Sequence, residues 1–160
     1  MLVTVTDGVA NVTNTFTVVV REVNVAPVFA TIATQTLDEL TPLSLTLSAT
    51  DADIPVQTLA YALVSGPSGM TVSSAGALAW TPTEAQGPST HTVLVSVTDG
   101  LASATHSFVV VVREVNTLPA LAAMANRSVD RMKTLALDLS ATDADIPAQA
   151  LTYSLASGPP

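Results

Sequence analysis

Cysteine is absent from this chain of 160 residues, which excludes a disulfide framework and thiol chemistry. Basic residues are nearly as scarce: five Lys and Arg stand against thirteen Asp and Glu, for a formal net charge of −8. That balance excludes a nucleic-acid partner, which demands a basic face, and suits cations instead. One Trp, two Tyr and three Phe leave little from which to build a sugar-stacking platform. No apolar run approaches the ~18 residues of a membrane-spanning helix, so no transmembrane segment is expected in this stretch. The opening "MLVTVTDG" has no basic n-region and reads as a strand rather than a signal peptide. The signal of an exported parent is expected to lie outside this chain.

What the chain does have is repetition. "SATDADIP" at 48–55 returns at 140–147, "REVN" at 21–24 returns at 113–116, and Asp7 in "TDG" returns as Asp99. Every shift is 92 residues, and 1–68 laid on 93–160 without a gap is identical at roughly 38 positions. A tandem array is implied, with the tail of one repeat at 1–24, a complete repeat at 25–116 and the opening of a third at 117–160.

Within the complete repeat the apolar period is two. "LSLTLSA" puts Leu43, Leu45, Leu47 and Ala49 on one face, and "FVVVV" is continuous enough to suggest burial on both faces in places. Clusters of Gly, Pro, Ser and Asp punctuate these runs. Seven strands, A to G, are expected at roughly 28–36, 43–49, 58–64, 69–73, 77–80, 91–98 and 105–113. Seven short strands in about 92 residues predict an all-β, immunoglobulin-like sandwich.

Loops of an antiparallel sandwich alternate between its ends. Asp51 and Asp53 in the B–C loop and Asp99 in the F–G loop therefore fall at one end. Glu39 and Glu84 fall at the other, beside Glu114 and Asn116 at the exit of strand G, where the next repeat presents Asp143 and Asp145. Two like charges ~5 Å apart at an effective dielectric of ~20 repel by about 3 kcal/mol, so either the loops splay or a cation sits between them. Calcium, with about 6–8 hard oxygen ligands at tolerant geometry, fits better than magnesium. The competing reading of Asp-Ala-Asp is a turn held by side-chain bonds to its own backbone. "TDG" is likewise first a tight-turn signal, and Glu84 reads first as a solvated loop acid.

The order "LDEL", "ATDADIPVQTLAYAL", "TDG" and "REVNVAPVF" resembles the cadherin-like repeats, and most closely the bacterial, dystroglycan-type putative-Ig subgroup, over the whole chain. The resemblance implies calcium at the inter-repeat junctions. It places Glu22, Asn24, Asp51, Asp53 and Asp99 at the preceding junction, and Glu39, Glu114, Asn116, Asp143 and Asp145 at the following one, with Glu84 the loosest match. Two departures stand out. The linker "REVNVAP" is poor in Asp and Asn, and Glu39 becomes Arg131 in the third repeat, so fewer ions per junction are expected than in a cadherin.

Trp80, Tyr61, Tyr153, Phe16 and Phe108 fall at strand positions in register with apolar neighbours and are expected in cores. His91 and His106 lack the partners of a zinc site, no nucleophile elbow appears, and no enzyme is expected. "NVT" at Asn11 and "NRS" at Asn126 match the glycosylation sequon, which matters only in a eukaryotic secretory route. The expected function is a structural and adhesive repeat of a large bacterial cell-surface or secreted protein, stiffened by calcium between neighbouring repeats. The alternative is a carbohydrate- or receptor-binding module on an exported enzyme or adhesin. The partial repeats leave strand edges unpaired, so head-to-tail association of the isolated chain is also expected.

Overall fold

The computed structural model describes residues 1–158. An isolated antiparallel hairpin comes first, β1 (Leu2–Thr6) with β2 (Asn11–Thr15), in register Leu2 to Thr15 and exposed along its length. The complete repeat follows with β3 (Val28–Phe29), β4 (Gln35–Asp38), β5 (Leu43–Thr46), β6 (Ala49–Thr50), β7 (Ala60–Ser65), β8 (Thr71–Val72), β9 (Ala77–Trp80), β10 (Ser89–Thr98) and β11 (Ser103–Arg113). One sheet runs β4-β11-β10-β7, and facing it lie β5-β9-β8 with the short β3-β6 pair. This is an immunoglobulin- and cadherin-like sandwich.

Alternation builds the core. β10 and β11 bury Val93, Val95, Val97, Phe108, Val110 and Val112, and all of these but Val97 join Leu37, Leu47, Met70, Leu78 and Trp80 in one cluster. Val109 and Val111 are only partly buried, so the run of valines follows the rhythm of a sheet with one covered face, not burial on both. Trp80 is buried, and its indole N–H donates to the Ser68 carbonyl at 3.1 Å, which satisfies the one polar atom it brings inside. Phe29 meets Tyr61 edge to face at 6.0 Å.

Two expected strands are each broken in two. Strand A divides because β3 pairs antiparallel with β6 in one sheet while β4 pairs parallel with β11 in the other. Between them the Ile32 N–H reaches the imidazole Nε2 of His106 at 3.4 Å. Strand B breaks at Leu47, whose N–H turns to the carbonyl of Gly76 at 2.8 Å. Gly76 has φ +89°, and a Cβ there would stand 2.9 Å from the Leu47 carbonyl oxygen.

Beyond the repeat, β12 (Ala120–Leu121) pairs with β13 (Ala141–Thr142) as β3 pairs with β6, 92 residues earlier. Strands at 127–130, 135–138 and 152–157, which the opening of a third repeat would need, do not form among the described residues. Their counterparts β4, β5 and β7 hydrogen-bond to β11, β9 and β10, and residues 117–158 contain no equivalents of those three. Tyr153 and, in the opening hairpin segment, Phe16 are consequently exposed rather than in a core.

Val97 and Val5 occupy the same repeat position, one fully buried and the other 68% exposed. In dilute solution Val97→Ala should cost about 2 kcal/mol in urea unfolding and Val5→Ala less than about 0.5. Gly76→Ala should cost about 1–3 kcal/mol from its backbone conformation alone. Equal costs for the two valines would contradict the burial pattern.

Candidate metal centres at the two ends of the sandwich

The first centre forms where the chain enters the complete repeat. At the β10–β11 turn Gly100 takes φ +97°, and Asp99 Oδ1 accepts from the N–H groups of Leu101 and Ala102, each at 2.6 Å. Asp99 Oδ2 is left facing the entering segment, where it accepts from the Asn24 amide at 3.0 Å. The N–H of Ala102, then those of Leu101 and the Asn24 amide, hold the Asp99 carboxyl below the ordinary aspartate value. In the loop after β6, Asp53 takes the Val25 N–H on both oxygens, at 3.2 and 3.0 Å. Asp51 Oδ1 accepts the Asp53 N–H at 2.9 Å.

Asp51, Asp53 and Asp99 bring one oxygen each to within 4.8 Å of one another. Glu22 lies beside them. Loss of water around its carboxyl, followed by Asp53 through a hydrogen bond and through charge, and then by Asp51 and Asp99, pushes it above the ordinary glutamate value.

The second centre forms at the exit. Glu39 follows β4, Glu114 follows β11, and Glu84 opens a single 3-10 turn, Glu84–Gln86, closed by Gln86 Oε1 accepting the Thr83 N–H at 2.9 Å. These three carboxylates also converge within 4.8 Å. Glu39 Oε1 accepts the Val115 N–H at 3.0 Å, and Glu84 Oε1 accepts the Ile146 N–H at 3.0 Å. Desolvation, then the charges of Asp145, Glu39, Glu84 and Asp143, raise the Glu114 carboxyl. Asp145 takes the Thr117 N–H on both oxygens at 3.0 Å, repeating the Asp53–Val25 contact, and Asp143 Oδ1 takes the Asp145 N–H at 3.1 Å. Gly87 gives the cluster room: a Cβ there would fall 2.1 Å from Glu39 Oε2.

All eleven residues singled out from the sequence lie at one or other end, but in different roles. Asp51, Asp53 and Asp99 form one compact trio and Glu39, Glu84 and Glu114 the other, so the loosest match, Glu84, sits in a trio. Asp143 and Asp145 stand next to the second trio, acting on Glu114 through charge. The side-chain oxygens of Asn24 and Asn116 are engaged by the amides of Gln57 (3.1 Å) and Gln149 (2.9 Å). Those two glutamines escaped the sequence reading, although each lies four residues past the second aspartate of Asp-Ala-Asp in both repeats.

One observation separates these clusters from ordinary turns. Glu39 Oε2, Asp51 Oδ2, Gln57 Oε1 and Glu114 Oε1 are buried oxygens with no hydrogen-bond partner; Glu39, Asp51 and Glu114 are members of the two trios, and Gln57 is tied to the first through Asn24. Buried acceptors are ordinarily paired, and these are donors of the hard-oxygen class that calcium takes. The residues present therefore fit such an ion.

Residues 26–113 match the family model described as "Putative Ig domain". No curated protein sequence matches the chain. Among solved structures, human protocadherin-24 EC1-2 is similar at TM-score 0.50 and 23% identity, over 78% of this chain and 62% of that one. An endo-fucoidan hydrolase of glycoside hydrolase family 107 gives 0.48 and 18%, over 74% of this chain and 21% of that one. Chicken VE-cadherin EC1-2 gives 0.44 and 23%, over 61% and 54%. The chain thus spans less than two thirds of the length of each, and the likeness to protocadherin-24 is one of fold.

The carboxyl shifts set opposite pH dependences for the metal-free chain. Glu22 and Glu114 are raised, so their contribution to stability is fully present below the ordinary value of 4.5 and is lost as pH rises through their folded values. Asp7 and Asp99 are lowered, so theirs is present above 3.8 and is lost as pH falls through their folded values. Melting in chelator should therefore show Glu22→Gln and Glu114→Gln raising the midpoint at about pH 7 and losing that gain near about pH 4. A gain that persists at the lower pH would refute the assignment.

Proposed function

The chain belongs to the Putative Ig domain family, and from that premise we propose that it is a non-catalytic spacer whose neighbouring repeats are locked in line by calcium. The parent is a bacterial cell-surface or secreted protein, and the role is structural and adhesive. The observation that carries this reading is the unpartnered buried oxygens of Asp51, Glu39 and Glu114, members of the two carboxylate trios. Each centre joins a linker to loops of the sandwich: Asn24 and Val25 to Asp99 and Asp53 at one end, Val115 and Thr117 to Glu39 and Asp145 at the other.

Asp51, Asp53 and Asp99 would hold an ion at the entry, with Glu22 beside them. Glu39, Glu84 and Glu114 would hold one at the exit, next to Asp143 and Asp145. Bound calcium supplies positive charge and a preference for many oxygen ligands. The chain's own contribution is to aim carboxylates from separate segments at one point, so that neutralising their repulsion also ties linker to loop. A self-repelling hinge becomes a stiff one, and no bond is made or broken. The alternative, a carbohydrate-binding module, is not favoured by the one tryptophan, which is buried with its N–H satisfied.

Calorimetric titration with calcium should give saturable heat at two centres. Asp51→Ala should remove the entry site and leave the exit site. Gly87→Ala, by crowding the Glu39 carboxylate, should weaken only the exit site, by about 10–100-fold. Small-angle scattering should register a straighter particle in calcium than in chelator. Heats unchanged in both variants, or identical scattering profiles, would overturn the reading.

A further inference from the structure

The loop that follows β6 grips the entering linker twice. Asp53 accepts the Val25 N–H on both oxygens, and four residues later the Gln57 amide donates to Asn24 Oδ1 at 3.1 Å. Asn24 passes the contact on, its own amide donating to Asp99 Oδ2 at 3.0 Å. Two neighbouring linker residues thus tie the loop of Asp51 and Asp53 to the β10–β11 turn. The grip recurs 92 residues on, where Asp145 takes the Thr117 N–H and the Gln149 amide donates to Asn116 Oδ1 at 2.9 Å. Val25 gives way to Thr117 between the two linkers, and the glutamine–asparagine contact is kept.

Chemistry fixes the direction of this relay. A carboxamide has one end that donates and one that accepts, whereas an ionised carboxylate only accepts. Asp99 therefore demands the Asn24 NH2, which leaves the Asn24 oxygen toward Gln57 and demands the Gln57 NH2 in turn. Reversing either amide would set oxygen against oxygen or NH2 against NH2. Asp99 Oδ1 is occupied by the N–H groups of Leu101 and Ala102, so it is the Asn24 amide that steers Oδ2. Asp99 belongs to the entry trio with Asp51 and Asp53, and Gln57 reaches it through Asn24.

We propose that Gln57 is a positioning residue of the entry centre: through Asn24 it keeps the Asp99 carboxylate aimed, and so sets the affinity of that centre for a divalent cation. The effect on affinity rests on the calcium reading, and the relay does not. The relay also makes a prediction whose sign charge alone would reverse. Gln57→Glu adds a carboxylate of nearly the same shape beside the centre, which by charge alone should tighten a cation. A carboxylate at position 57 only accepts, so it draws the Asn24 NH2 to itself and turns the Asn24 oxygen on Asp99. The relay is then inverted, and the cation is held less tightly.

Calorimetric titration of the full chain with calcium tests this, the entry heat being the one that Asp51→Ala removes. Gln57→Ala and Gln57→Glu should each weaken the entry site about tenfold. The exit heat should not change, which also shows that the fold is intact. Asn24→Ala should weaken the entry site at least as much, and adding Gln57→Ala to it should weaken it no further. Unchanged affinity in either Gln57 variant, tighter binding by Gln57→Glu, or losses that multiply in the double variant would overturn the positioning role. In chelator, nuclear magnetic resonance reads the relay without an ion. There Gln57→Ala should move the Asn24 side-chain amide resonances and speed their exchange with solvent. An unmoved amide would overturn the relay itself. A moved amide with no calcium heat from wild type would overturn the calcium reading, and the affinity role with it, while leaving the relay in place.

Discussion

Carboxylates held within 4.8 Å of one another at the ends of a rigid sandwich are the constraint on which the rest of this protein depends. A surface acid ordinarily relieves repulsion by turning into water. Here Asp53, Glu39, Asp145 and Glu84 are tied by the backbone N–H groups of Val25, Val115, Thr117 and Ile146, so they cannot turn away. The first three of these bonds join a linker to a loop, and the fourth joins loops of successive repeats. The bonds that fix the path of the chain between repeats are therefore the same ones that concentrate negative charge there.

The sandwich supplies the rigidity that makes this possible. Val93, Val95, Val97, Val110 and Val112 are essentially sealed from water, and the long β10–β11 hairpin carries Asp99 at its turn and Glu114 just past its end. One hairpin thus contributes to both centres. Breaking strand A between two sheets has a similar consequence: β4 runs beside β11, which brings Glu39 alongside Glu114. Had strand A stayed in one sheet, the exit trio would lack its most buried member.

Much of this is legible in the sequence. Period-two alternation, turn residues and the 92-residue shift led to a seven-strand sandwich, and loop parity alone sorted the acids to two ends. Three features were not legible. The splitting of strands A and B depends on partners far along the chain, such as the Gly76 carbonyl for Leu47. Glu84 looked like a loop acid because the 3-10 turn that aims it toward Ile146 leaves no apolar signature. Gln57 and Gln149 carry no charge to mark them, although their repetition at the same offset was available to be read.

Composition and periodicity determined the fold class, the absence of thiol chemistry, the acidic character and the assignment of carboxylates to loops, because those follow from local backbone preference and from counting. Which oxygens lack a partner was decided only by the tertiary structure. Hydrogen-bond satisfaction at Glu39, Asp51, Gln57 and Glu114 depends on where segments as much as 76 residues apart in sequence meet, and no local pattern encodes it. The fate of the end pieces is divided in the same way. Their strand-like sequences are nearly those of the complete repeat, yet most of residues 117–158 form no strand, because a strand is completed by a neighbour and its own sequence cannot supply one.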